Sequence, residues 1–136
     1  MKVLLFTWLF SMMSAAWACT PELTAGKGGK AHTVDSKKYT LAYRTLPEKI
    51  AIGQHFAVEL ALCAKDGAPA PESVWVDAHM PDHRHGMNYK TTVTSSGAGK
   101  YRADGLMFHM PGRWEYIFEV RAGGVPERLT TSVVLQ

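Results

Sequence analysis

The stretch Trp114-Glu115-Tyr116-Ile117-Phe118-Glu119-Val120-Arg121 decides the fold. Its large apolar residues Trp114, Tyr116, Phe118 and Val120 recur at every second position, so an extended chain puts all four on one face. Pro111-Gly112 halts the chain just before this run, and Gly123-Gly124 with Pro126 halt it just after. The same alternation returns in Phe56/Val58/Leu60/Leu62, Val74/Val76/Ala78/Met80 and Leu106/Phe108/Met110. Further breaks fall at Pro47, at Gly53, at Asp66-Gly67 with Pro69 and Pro71, and from Ser95 to Gly99. They delimit seven expected strands: Tyr39–Leu46, His55–Cys63, Ser73–Met80, Asn88–Thr94, Tyr101–His109, Trp114–Arg121 and Arg128–Leu135. No segment sustains a helical period. Short strands with regularly spaced turn signals predict an all-β fold, a single antiparallel immunoglobulin-like β-sandwich, with a small barrel as the alternative.

The ends of the chain set its compartment. Lys2 followed by the apolar run from Val3 to Met13, then Ala16-Trp17-Ala18, has the layout of a signal peptide over residues 1–18. Cys19 then opens the exported chain, and the expected location is the periplasm. Exported cysteines meet an oxidising environment. Cys19 and Cys63 are therefore expected to form a disulfide, which would stabilise by roughly 3–4 kcal/mol on the chain-entropy account. The alternative is a lipid anchor on Cys19. Against it, Ala16 and Trp17 stand where lipoprotein signals carry an aliphatic and a small residue. No second apolar run could cross a membrane, so no transmembrane segment is expected after signal removal.

Residues 19–36, polar and rich in glycine (Gly26-Lys27-Gly28-Gly29-Lys30), read as a flexible N-terminal arm or one ordered on contact, and residues 37–136 as the sandwich domain. The exported ~118 residues suffice for one core without further staples. A net charge of +3 over the whole chain is too weak to imply nucleic acid, and no basic stripe with interleaved aromatics is present.

Every methionine beyond the expected leader falls in two windows that also hold four histidines. They read His79-Met80-Pro81-Asp82-His83-Arg84-His85-Gly86-Met87 and Met107-Phe108-His109-Met110. Thioether and imidazole together suit copper, the thioether favouring Cu(I) and the imidazole tolerating either oxidation state. Pro81 stops the preceding strand and Gly86 frees the backbone, so the loop can fold back and present His83, His85 and Met87 together. Alternation separates Leu106, Phe108 and Met110 on one face from Met107 and His109 on the other. Met80 likewise shares the face of Val74 and Val76, while Asp77 and His79 point the opposite way. Met80 and Met110 are thus expected to pack in the core. The expected ligand set is His83, His85, Met87, Met107 and His109, with His79 as an addition. It suits a three- or four-coordinate Cu(I) site, or a Cu(II) site using the histidines. Zinc on the histidines alone would leave the methionines unexplained. His32 and His55 read as surface or structural residues. Asp77 and Asp82 near the histidines could suggest acid–base work, but nothing defines a substrate pocket and orienting an imidazole is at least as good a reading. With no nucleophile elbow and no free thiol under the bridge, an enzyme is not expected.

Three elements in order carry a family resemblance: Met80-Pro81-Asp82-His83-Arg84-His85-Gly86-Met87, then Gly99-Lys100-Tyr101, then Leu106-Met107-Phe108-His109-Met110-Pro111-Gly112-Arg113-Trp114-Glu115. From Ser73 to near Val120 the chain resembles the YtkA-like family, related to FixH-type periplasmic domains. The resemblance implies an exported immunoglobulin-like sandwich concerned with copper delivery or cytochrome oxidase assembly. It implies as partner a membrane cuproenzyme or a copper transporter. Arg84 departs from the pattern, since it stands where members often have a small residue. Tyr101 and Trp114 have a sufficient structural explanation as buried aromatics beside turns. The competing expectation is an immunoglobulin-like interaction module that binds another envelope protein, its histidines and methionines incidental.

Overall fold

The computed structural model describes residues 19–23 and 29–136; the expected signal peptide and residues 24–28 of the arm lie outside the described residues. Nine strands form two antiparallel sheets, with no helix among the described residues. The first sheet has the order β1 (His32–Asp35), β2 (Tyr39–Leu46), β3 (His55–Ala64), β7 (Lys100–Met107), β6 (Thr92–Gly97). The second has the order β5 (His85–Gly86), β4 (Ser73–Met80), β8 (Gly112–Arg121), β9 (Glu127–Leu135). The expected antiparallel sandwich is borne out.

The alternating residues supply the core. Phe56, Val58, Leu60 and Leu62 of β3 face Val76, Ala78, Met80, Trp114, Tyr116, Phe118 and Val120 of the opposite sheet, all buried. Phe108 lies flat against Trp114 with ring centres 4.5 Å apart, and Phe56 meets Phe108 edge-on at 4.9 Å. The Trp114 indole N–H donates to the Met110 carbonyl at 3.0 Å, so burying the ring strands no donor. Tyr101 and Trp114 are core aromatics, as expected.

Three local expectations need correction. The segment assigned to a flexible arm contains β1, which pairs with β2 from His32↔Tyr43 to Asp35↔Thr40. Backbone pairing orders it even though its side chains carry no apolar alternation, and the His32 ring stacks on Tyr43 at 5.4 Å. The strand expected at Asn88–Thr94 begins later, at Thr92, because the preceding residues carry the chain from one sheet to the other. The strand expected to reach His109 ends at Met107. Between β6 and β7 the chain reverses through Gly97, Ala98 and Gly99, all at positive φ. A Cβ at Gly99 would lie 2.4 Å from the Leu62 carbonyl oxygen, so this hairpin requires glycine there.

Cys19 and Cys63 are disulfide-bonded, as expected, which ties the arm to β3. No helix among the described residues is long and apolar enough to cross a membrane. The connections β2–β3, β4–β5–β6 and β7–β8 all gather at one end of the sandwich. That end receives both histidine–methionine windows.

Candidate metal centre

The loop after β4 is built to turn back on itself. Pro81 ends the strand, the His83 N–H donates to the Met80 carbonyl at 3.1 Å, and Arg84 takes a φ of 56°. That left-handed conformation costs a branched or long residue about 1–2 kcal/mol. The turn closes with Arg84 in that conformation. β5 then pairs back on β4 through His79↔Gly86 and Met80↔His85, and the Met87 N–H donates to the Ala78 carbonyl at 3.2 Å. Asp82 fastens the outside of the loop with a two-pronged contact to Arg113 at 2.7 and 3.1 Å. The Arg113 guanidinium holds the Asp82 carboxyl below the usual carboxylate range.

The turn brings three imidazoles into a row. The His83 and His85 ring centres lie 5.8 Å apart, and those of His85 and His109 lie 5.1 Å apart. His109 follows the end of β7, where Phe108 plunges into the core and its carbonyl accepts the Gly53 N–H at 2.8 Å. The His109 ring meets Trp114 at 5.3 Å, nearly perpendicular, and His85 meets the same indole at 6.0 Å. Trp114 is thus the wall against which both imidazoles are set.

Two nitrogens stand out chemically. His85 Nδ1 lies 3.1 Å from the Gly86 carbonyl oxygen, which can only accept. In the neutral ring this puts the proton on Nδ1 and leaves the lone pair of Nε2 free. His109 Nδ1 is enclosed and has no hydrogen-bond partner. An enclosed polar atom without a partner costs about 1–3 kcal/mol, a cost that a bound cation would relieve. Among the described residues, no group of three or more His, Cys, Asp or Glu side chains is arranged to hold a metal ion. A metal here would rest on two imidazoles completed by a thioether, the softer donor set that copper accepts.

The remaining expected ligands are distributed differently. His79 stands on the outer face of its sheet, where Nε2 meets Glu115 Oε1 at 2.9 Å. Strand alternation puts it across the sheet from His85. Met87 packs against the core and lines a cleft of about 460 Å³ with Trp75, Asp77 and Tyr89. Met107 is the cross-strand partner of His55, whose ring contacts Tyr89 at 5.0 Å. Met80 is fully buried, as expected of a packing residue, while Met110 is only partly buried against the core. The hydrogen bonds of Asp77 and Asp82 go to partners other than imidazole. Asp77 Oδ1 accepts the Ala78 N–H at 2.8 Å and Asp82 holds Arg113; the carboxylate on an imidazole is Glu115. Glu115 and His55 were missed because each finds its partner through strand register, which no local motif records.

A family model described as YtkA-like matches residues 33–119, from β1 to the second half of β8. The chain belongs to the YtkA-like family. The match spans both histidine–methionine windows and agrees with the resemblance carried by the Met-Pro-Gly-x-Trp-Glu element. Among curated proteins, none matches the chain. Among solved structures it is similar to a DUF4426 family protein from Pseudomonas aeruginosa PAO1, with a TM-score of 0.52 and 8% identity, covering 77% of this chain and 94% of that one. At that identity the likeness concerns the fold.

Proposed function

We propose that this YtkA-like protein is an exported copper carrier or buffer, which takes Cu(I) as cargo between His85 and His109. The observation that carries this is the approach of His85 to His109 at 5.1 Å, with an enclosed His109 nitrogen that lacks a partner. His85 Nε2 and His109 Nδ1 would supply the imidazole donors. The Met110 thioether, next in chain to His109 and only partly buried, would complete a three-coordinate site. His83, exposed on the same loop, would capture the ion or exchange it with an acceptor. Such a low-coordinate site suits transfer, because an incoming ligand can add before a resident one leaves. The acceptor in this proposal is a membrane cuproenzyme, such as a cytochrome oxidase under assembly, or a copper transporter. Export by residues 1–18 to an oxidising compartment is part of the same proposal, and the Cys19–Cys63 bridge supports it.

The test is titration of the purified protein with Cu(I) against a competing chelator, alongside His85→Ala and His109→Ala. Binding at the His85–His109 position should fall at least tenfold in either variant, with melting temperature nearly unchanged, since neither side chain fills the core. Absence of Cu(I) binding in the parent protein would overturn the proposal. The second reading, a module that docks on another envelope protein, is favoured by Trp75 and Tyr89. These large apolar side chains are 43% and 46% exposed beside the 460 Å³ cleft.

A further inference from the structure

We infer that His55 and Met107 form a second Cu(I) position beside the first, an inference that rests on the copper reading above. The two residues are far apart in sequence, and β3 and β7 bring them together as directly opposed Cα partners. Their neighbours Phe56 and Leu106, also paired, are buried in the core. By alternation, His55 and Met107 therefore share the outer face of the sheet, with His55 exposed and Met107 partly exposed.

The spacing suits the chemistry. Directly opposed residues on antiparallel strands have Cβ atoms about 4.5–5.5 Å apart. A near-linear ion, with bonds of roughly 2.0 Å to imidazole nitrogen and 2.3 Å to sulfur as in zinc sites, needs donors roughly 4.3 Å apart. The two torsions of histidine and the three of methionine can bring their donor atoms to that separation without backbone movement. One imidazole and one thioether give a soft donor pair that selects Cu(I) over harder cations. Tyr89 meets the His55 imidazole edge-on at 5.0 Å.

The two positions adjoin. Met107 and His109 are two residues apart, so their Cα atoms are separated by at most about 7 Å. In the outer pair His55 is exposed and Met107 partly so, while His109 of the inner pair has an enclosed nitrogen. The arrangement gives the outer pair the part of acceptor and donor toward solvent, and the inner pair the part of store.

The inference is tested by counting Cu(I) equivalents against bathocuproine disulfonate in the parent protein, in Met107→Leu, in His55→Gln and in a His85→Ala/His109→Ala double variant. The parent should take two equivalents and each of the three variants one. Methionine-methyl NMR should show the Met107 signal shifting with copper in the double variant. One equivalent in the parent, unchanged in Met107→Leu and lost in the double variant, would overturn the second position and leave the first standing. One equivalent lost in Met107→Leu and retained in the double variant would support the outer pair and overturn the inner one. Complete loss in both variants would mean a single shared site, and so overturn the division into two.

Discussion

Removing the Cys19–Cys63 bridge should be the most damaging change that touches neither the core nor the candidate site. The linked residues are 44 positions apart. On the chain-entropy account, opening a loop of that length returns about 13 cal/mol/K to the unfolded chain, or about 4 kcal/mol at 25 °C. Cys19→Ser is the informative variant. Cys19 is exposed, so its replacement hydroxyl sits in water, whereas Cys63 is buried at 5% exposure and a serine there would add the cost of an enclosed hydroxyl. The remaining Cys63 thiol behaves as a small apolar side chain. With a urea slope of about 1–2 kcal/mol/M, the unfolding midpoint should fall by roughly 2–4 M. Circular dichroism through a urea titration measures it. Intact mass with and without reductant verifies that the parent carries the bridge. A loss below about 1 kcal/mol at unchanged slope would refute the reasoning, because the bridge would then not restrict the unfolded ensemble. Diacylglycerol on Cys19 in the native protein would refute it more directly.

Substitutions at two further positions probe side chains whose roles the geometry separates. Met80 is fully buried and its terminal methyl lies 2.8 Å from where a Gly112 Cβ would stand, so Met80→Ala should cost about 2–5 kcal/mol. Met80→Leu should cost less than about 1.5 kcal/mol and leave Cu(I) affinity unchanged; a tenfold loss of affinity in Met80→Leu would make Met80 a ligand. Tyr116→Phe should leave urea stability within about 0.5 kcal/mol of the parent or raise it, because the Tyr116 hydroxyl is enclosed without a partner. A loss above about 1.5 kcal/mol would show that this hydroxyl is bonded after all.

What the sequence reveals depends on whether a strand has two different faces. Ser73–Met80 runs between the expected residues because it alternates a buried and a more solvated side, whereas Tyr39–Leu46, largely buried on both sides, is delimited by the break at Pro47. β1 has no such contrast. His32, Thr33 and Asp35 are all exposed and only Val34 packs on the core, so no side-chain alternation announces the strand. β5 is only two residues long, too short for a period to show.

The same physics divides the candidate site. Alternation correctly separates Phe108 from its neighbours, and it assigns Met107 and His109 to a common side. It says nothing of where the strand stops. β7 ends at Met107, so that residue stays in register with His55, while His109, one step beyond the core residue Phe108, turns toward Trp114 and His85. The expected ligand cluster is thereby split, and His55, read as a surface or structural residue, stands opposite Met107 in register. The windows around His85 and His109 meet for a topological reason. β4 and β7 belong to different sheets but finish at the same end of the sandwich, and the β7–β8 connection crosses between the sheets there. Clustering by composition could identify the residue types that matter, but only strand order and strand endings determine which imidazole meets which sulfur.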